Sequence, residues 1–169
     1  MKLGSVFKVN KPEIRESIVF MQWICKSFEQ LTTHELYQLL RLRVDVFVVE
    51  QTCPYPELDG KDQLEGVYQL LGYKDNQLIA CARLLEKGIS FETASIGRVA
   101  TNLNHRGNGL GHQLIQTALE YCIQLWGDVD ITIGAQSHLE HYYEKHGFEK
   151  ISEEYLEDDI PHIDMIRRV

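Results

Sequence analysis

His105-Arg106-Gly107-Asn108-Gly109-Leu110-Gly111-His112 lies between a strand-like run, Ile96 to Thr101, and a run with helical spacing that starts at Leu114. Three glycines alternate across the join, so the backbone can curl tightly and meet a ligand with no Cβ in the way. The first turn of a helix leaves amide groups without intrahelical partners and places partial positive charge at the same point. Together these features make a cradle for a diphosphate. Arg106 adds a fixed cation that can hydrogen-bond a phosphate oxygen through two donors. Two better-known phosphate loops do not fit. A nucleotide triphosphatase loop ends Gly-Lys-Ser/Thr, whereas this one ends Gly111-His112-Gln113. A dinucleotide-binding loop needs an acid at the far end of the next strand, yet Asp128 and Asp130 precede Ile131-Thr132-Ile133.

The periodicity outward from this loop is that of an α/β (α+β) domain. Leu114, Ile115, Ala118, Leu119, Cys122 and Leu125 fall on one face of a helix ending near Gly127, and Val129 to Ile133 is the next strand. Strand, long helix, strand predicts a parallel crossover. Upstream, Gln22 to Phe28 reads as a strand, and Thr32 or Thr33 caps a helix carrying Leu36, Leu39, Leu40 and Val44, which Cys53-Pro54-Tyr55-Pro56 stops. Val67 to Tyr73 and Leu78 to Leu85 form a hairpin across Lys74-Asp75-Asn76-Gln77. A helix from about Ser137 to Lys145 ends at Gly147, and strands near Phe148 to Tyr155 and Ile163 to Arg167 close the chain. The expectation is a mixed sheet of about seven strands with helices packed on it.

The chain has 169 residues, 44% of them hydrophobic, which suits one domain. Residues 21–169 are read as that domain. Residues 1–20 are polar with scattered apolar positions and read as a disordered leader or tag, with Met21 as the natural start. The net charge of −8 without a Lys/Arg run speaks against nucleic acid as a partner. No apolar run approaches the roughly 20 residues of a membrane span, so no membrane partner is expected. Cys25, Cys53, Cys81 and Cys122 make no CxxC pair, which fits a reduced, cytoplasmic setting. His138, His141 and His146 lack a metal-binding spacing, so no metal is expected.

Arg106-x-x-Gly109-x-Gly111 resembles the GNAT acetyltransferase signature Gln/Arg-x-x-Gly-x-Gly/Ala, and Tyr142-Tyr143-Glu144-Lys145-His146-Gly147-Phe148 looks like the helix which that family carries after its fifth strand. Arg43 through Tyr55, Asp59-Gly60-Lys61-Asp62 and Gly134-Ala135-Gln136 are similar to the ElaA-type subgroup. The resemblance runs from about Met21 to the C-terminus. It implies a GNAT fold: a mixed, mostly antiparallel sheet with a central parallel pair splayed at the cofactor site, flanked by about four helices. It implies acetyl-coenzyme A as cofactor and a primary amine, in a small molecule or a protein, as acceptor. Family-wide the amine attacks the thioester directly, with no cysteine nucleophile, and homodimers are common.

Residue by residue, the resemblance places Arg98, Val99, Ala100 and Thr101 against the pantetheine arm, and Arg106, Gly107, Asn108, Gly109, Leu110, Gly111 and His112 around the diphosphate. Tyr143 matches the tyrosine that serves many GNAT enzymes as general acid, although packing on the cofactor or sheet is an alternative role. Glu50 is taken as the base, and Asp59, Asp62, Gln136 and His162 as acceptor contacts. Asp59, Asp62, Gln136 and His162 are also further candidates for the base. Two other readings stand beside this one. One is a non-catalytic acyl-coenzyme A sensor or interaction module. The other is acyl transfer of another kind, since Arg43 through Gln51 loosely resembles acyl-homoserine-lactone synthases.

Overall fold

The structure, a computed structural model, describes residues 20–169. The expectation of a leader at residues 1–20 therefore concerns a stretch that, Phe20 apart, lies outside the described residues. The first strand, β1 (Gln22–Ser27), leads to α1 (Thr33–Val44). Thr32 caps α1: its hydroxyl accepts from the Glu35 amide at 3.2 Å, and the Glu35 carboxylate accepts in return from the Thr32 amide at 2.8 Å. The helix does not stop at Val44. It continues to Glu50 as a wider turn, with Gln51 N–H bonding Val46 O and Cys53 N–H bonding Val48 O.

The hairpin β2 (Val67–Lys74) and β3 (Gln77–Leu85) turns at Asp75 and Asn76, both with positive φ, as a two-residue turn matched to strand twist requires. Next come β4 (Ala94–Thr101), α2 (Leu110–Trp126), β5 (Ile131–Gln136) and α3 (Glu140–Glu144). The chain ends in β6 (Glu149–Lys150), β7 (Tyr155–Glu157) and β8 (Ile160–Arg167). The sheet order is β1-β2-β3-β4-β5-β8-β6, with β7 also on β8. All pairs are antiparallel except β4 with β5.

The described residues form eight strands and three α-helices, against the expected about seven and about four. The strand expected over Phe148 to Tyr155 divides into β6 and β7, and Ser152 explains the break. Its hydroxyl accepts from the Asp164 amide at 2.8 Å and donates to its neighbour's carbonyl, Glu153 O, so a side chain takes over a bond that the strand ladder would have made. The helix expected from Ser137 begins as a tight turn, Ser137–Leu139, and becomes α-helical only at Glu140.

Both faces of the sheet are covered, which is why eight of the nine residues of β3 are buried. Leu114, Ile115, Ala118 and Cys122 of α2 pack with Leu70, Ala80, Ala82 and Ile96 on one face. Leu39, Leu42 and Val46 pack with Leu71, Leu78, Cys81 and Ala100 on the other. Leu114 is fully enclosed beneath the loop that starts α2. Leu114→Ala should cost about 2–5 kcal/mol in urea unfolding, and a loss under about 1 kcal/mol would show that this core does not anchor α2.

Candidate functional site

Two glycines of the loop carry the backbone where other residues rarely go: φ is +91° at Gly107 and +77° at Gly109. A Cβ built on either would meet nothing within 4 Å, so the space above the loop is open to a ligand. Gly109 starts α2 without a side-chain cap, which leaves the first-turn amides as free donors. The third glycine has a different task. A Cβ on Gly111 would sit 3.0 Å from the Tyr142 hydroxyl, so its absence lets α3 close on α2. His112 joins that contact, with its Nδ1 2.9 Å from His146 Nε2 and its ring 4.7 Å from that of Tyr142. Burial and then the neighbouring His112 hold the His146 imidazole below its ordinary pKa.

Beside the loop the sheet opens. The parallel strands β4 and β5 pair only at Ala94 with Ile131 and Ser95 with Thr132. Both run on well beyond those pairs, so from Ile96 and Ile133 onward their facing edges lack each other as partners. On its other edge β4 carries one extra residue against β3: Gly97 faces Arg83 and Ala100 faces Cys81, which leaves Arg98 and Val99 opposite Ala82. Arg98 takes φ +50°, a conformation costing about 1–3 kcal/mol in a non-glycine residue. Its contacts hold it there. The guanidinium donates to Glu57 at 2.8 Å and to Asp59 at 3.4 Å, and lies over the rings of Phe47 and Tyr55.

Arg98 is one of three guanidinium groups set against three carboxylates. Arg43, fully buried, donates to Glu57 and Asp62, each at 2.7 Å. Arg83 donates to both oxygens of Asp59 at 2.7 Å and to Asp62 at 3.1 Å. Burial alone would raise the Asp59 and Asp62 carboxyls, but Arg83 beside the first and Arg43 beside the second outweigh it and hold both below the usual range. Of the acids proposed as acceptor contacts, Asp62 is buried inside this network and Asp59 reaches the cleft already clasped by Arg83.

That cleft, of about 740 Å³, lies between the parted strands, the segment after α1 and the β7–β8 hairpin. Val99, Gln136, Tyr143 and His162 line it, as does Asp59. Tyr143 is 7% exposed and packs edge-on against Tyr142 and Phe148. Burial, reinforced by Tyr142, raises its pKa far above that of an ordinary phenol, so it remains a proton donor at neutral pH. Gln136 donates to Gln51 at 3.2 Å, bridging β5 to the segment after α1. Ala100 points away, beneath α1. Glu50 is also elsewhere: its two oxygens accept from Arg106 at 2.6 and 2.9 Å, and it is not among the residues that line the cleft. Arg106 in turn donates to the Thr101 carbonyl, which ties the loop to the end of β4.

Arg43, Glu57 and Arg83 complete the network behind the cleft and do not emerge from the sequence as site residues. Their signals were there. Arg43 lies at helical spacing among Leu39, Leu42 and Val46, and Arg83 interrupts an apolar strand, and a charge in either place implies a buried partner.

The comparisons with known proteins agree with this geometry. The family description "Acetyltransferase (GNAT) domain" matches residues 43–169. Protein ElaA of Escherichia coli (strain K12) is 42% identical over 149 residues, covering 88% of this chain and 97% of that protein. Its crystal structure superposes with a TM-score of 0.83 over 88% of this chain and all of that one, at 40% identity. An acyl-CoA N-acyltransferase from Pseudomonas aeruginosa superposes with a TM-score of 0.84 at 47% identity, covering 88% of this chain and 99% of that one. This chain belongs to the GNAT acetyltransferase family and is of the ElaA-like kind. Acyl transfer is the chemistry that this membership supports. Among the described residues no helix is long and apolar enough to cross a membrane.

The guanidinium network has a pH signature. Because Asp59 and Asp62 titrate lower in the folded protein than in the unfolded chain, the unfolded chain binds more protons between the two values. Stability is then complete above about pH 4 and is lost as pH falls below it. Thermal unfolding should show that fall, and Asp62→Asn should flatten it. Arg43→Ala, which leaves three carboxylates facing two guanidinium groups, should cost about 3–5 kcal/mol at pH 7; a change near zero would mean that the network does not hold the wall.

Proposed function

We propose that this protein is an acetyl-coenzyme A-dependent N-acetyltransferase acting on a primary amine of a small molecule or protein, by direct attack in a ternary complex. The parting of β4 from β5 carries this reading: it opens between the uncapped start of α2 on one side and a cleft containing a buried, protonated tyrosine on the other. Acetyl-coenzyme A, when bound, supplies the activated thioester. The free amides from Gly107 to His112 suit its diphosphate, with Arg106 beside them, and the exposed edge of β4 from Arg98 to Thr101 suits an extended pantetheine arm.

The protein's own groups divide the remaining work. Tyr143 donates its proton to the departing thiolate, a role served by a phenol that burial keeps protonated. Direct attack agrees with the state of the thiols. Burial pushes Cys25, Cys81 and Cys122 up to about 12, which leaves them protonated and unreactive at neutral pH. Cys53 reaches the cleft, and its sulfur donates to the Asp158 carbonyl at 3.5 Å.

A thiol-release assay with acetyl-coenzyme A and a panel of amines, comprising 1,4-diaminobutane, a lysine-containing peptide and an amino sugar, tests the proposal. Transfer to at least one amine is expected. Tyr143→Phe should lower kcat roughly 100-fold with little change in the KM for acetyl-coenzyme A. Equal turnover would remove the acid role from Tyr143. Tight binding of acetyl-coenzyme A with no transfer to any amine would favour a non-catalytic binding module.

A further inference from the structure

The acyl-transfer reading needs a group that removes a proton from the attacking amine, and the acids that the sequence offers for that task are already engaged. Glu50 is clasped by Arg106, and Asp59 and Asp62 by guanidinium groups that hold them as weak bases. Asp164, also on the cleft, accepts the Tyr155 hydroxyl at 2.8 Å. Asp59 and Asp62, held below the usual carboxylate range, have little tendency to take up a proton. His162 is different.

His162 lies on β8 opposite Gln136 of β5, and both line the cleft that Tyr143 enters. Its Nδ1 is 2.8 Å from the carbonyl oxygen of Ile160. A carbonyl oxygen can only accept, so Nδ1 bears the hydrogen and, in the neutral ring, Nε2 is left with a free lone pair. The ring is fixed in that pose. Tyr155 of β7 stacks on it at a centroid distance of 6.1 Å and 27° between planes, and Tyr155 is anchored by its bond to Asp164. Glu157 of β7 stands 4.0 Å from Nε2, beyond hydrogen-bond reach, so it does not cap the lone pair. Only 14% of the His162 side chain is exposed, against 58% for Glu157. Other ionisable groups on the same cleft are Asp158 in the β7–β8 turn, Tyr143 of α3, Cys53 and Lys61, together with Asp59, Arg83 and Arg98 of the guanidinium network.

We infer that His162 is the general base of the reaction, accepting at Nε2 the proton lost by the amine. The inference rests on the acyltransferase reading and adds the identity of the base to it. The amine nitrogen forms a bond to the acetyl carbon as the carbon–sulfur bond breaks. The nitrogen's proton passes to His162 Nε2, and the Tyr143 hydroxyl proton passes to the sulfur. Solvent then takes the proton from His162 and restores one to Tyr143, so the net products are an amide and a free thiol. Tyr155 and Asp164 are positioning residues, acting through the orientation of the ring.

The tautomer can be read without any acceptor. Two-bond ¹H–¹⁵N spectra of the full chain at alkaline pH should show a ring signal with Nδ1 protonated and Nε2 bare, absent from His162→Gln. An Nε2-protonated ring at that position overturns the assignment, because that atom then has no lone pair to use. The kinetic arm uses acetyl-coenzyme A with the fastest amine of the panel. Wild-type kcat should fall toward acid pH as His162 becomes protonated. His162→Gln and His162→Ala should lose that limb and roughly 100-fold in kcat, with coenzyme A binding by calorimetry retained. Added imidazole should restore part of the rate in His162→Ala, and the limb should persist in Glu157→Gln. Retention of the limb and rate in both His162 variants refutes the base role while leaving the acyltransferase reading intact. Failure of the wild-type protein to transfer to any amine overturns both.

Discussion

The site depends on two parallel strands that begin paired and then separate. β4 and β5 share a ladder only at Ala94–Ile131 and Ser95–Thr132, and every later residue of either strand offers an edge to whatever lies between them. Exposed backbone donors and acceptors inside a sheet are costly unless something pairs with them. The extra residue at Arg98 and Val99 increases the local twist of β4. The crossover through α2 then returns the chain with the start of that helix, and its unpaired amides, beside the opening. One irregularity in one strand thereby brings an anion cradle and an extended binding edge together.

Keeping Arg98 in its left-handed conformation falls to a set of charges that would be prohibitively expensive apart. Three guanidinium groups and three carboxylates neutralise one another, and the pair formed by Arg43 with Glu57 is almost wholly enclosed. Replacing such a set with apolar side chains is often neutral for stability. Its use here is geometric: it fixes the segment from Glu57 to Asp62 against β3 and β4, and that segment is one wall of the cleft. The opposite wall is the β7–β8 hairpin, turned by Asp158 and Asp159 at positive φ, which carries Tyr155, Glu157 and His162. Tyr143 enters from α3 between the two walls.

What could be read from the sequence was what is local. The glycine pattern of the loop, the apolar face of α2, the Asp75-Asn76 turn and the Thr32 cap are each set by a few adjacent residues, and the structure contains all of them. The position of Tyr143 four residues before Gly147 was legible by family resemblance. Side-chain pairing across long separations was not. Glu50 and Arg106, 56 residues apart, were assigned separate tasks at the base and the phosphate, and no local pattern indicates that they bind each other. The same holds for Arg43 with Asp62 and for Arg98 with Glu57. Ser152 shows the converse: a single hydroxyl divides a run whose composition suits one continuous strand.

The most direct measurement is a crystal structure of the protein with coenzyme A. The account predicts diphosphate oxygens within about 3 Å of the amides from Gly109 to His112, the pantetheine arm lying between β4 and β5, and the sulfur emerging into the cleft beside Tyr143. Coenzyme A bound at another surface, with the gap between the two strands unfilled, would contradict it.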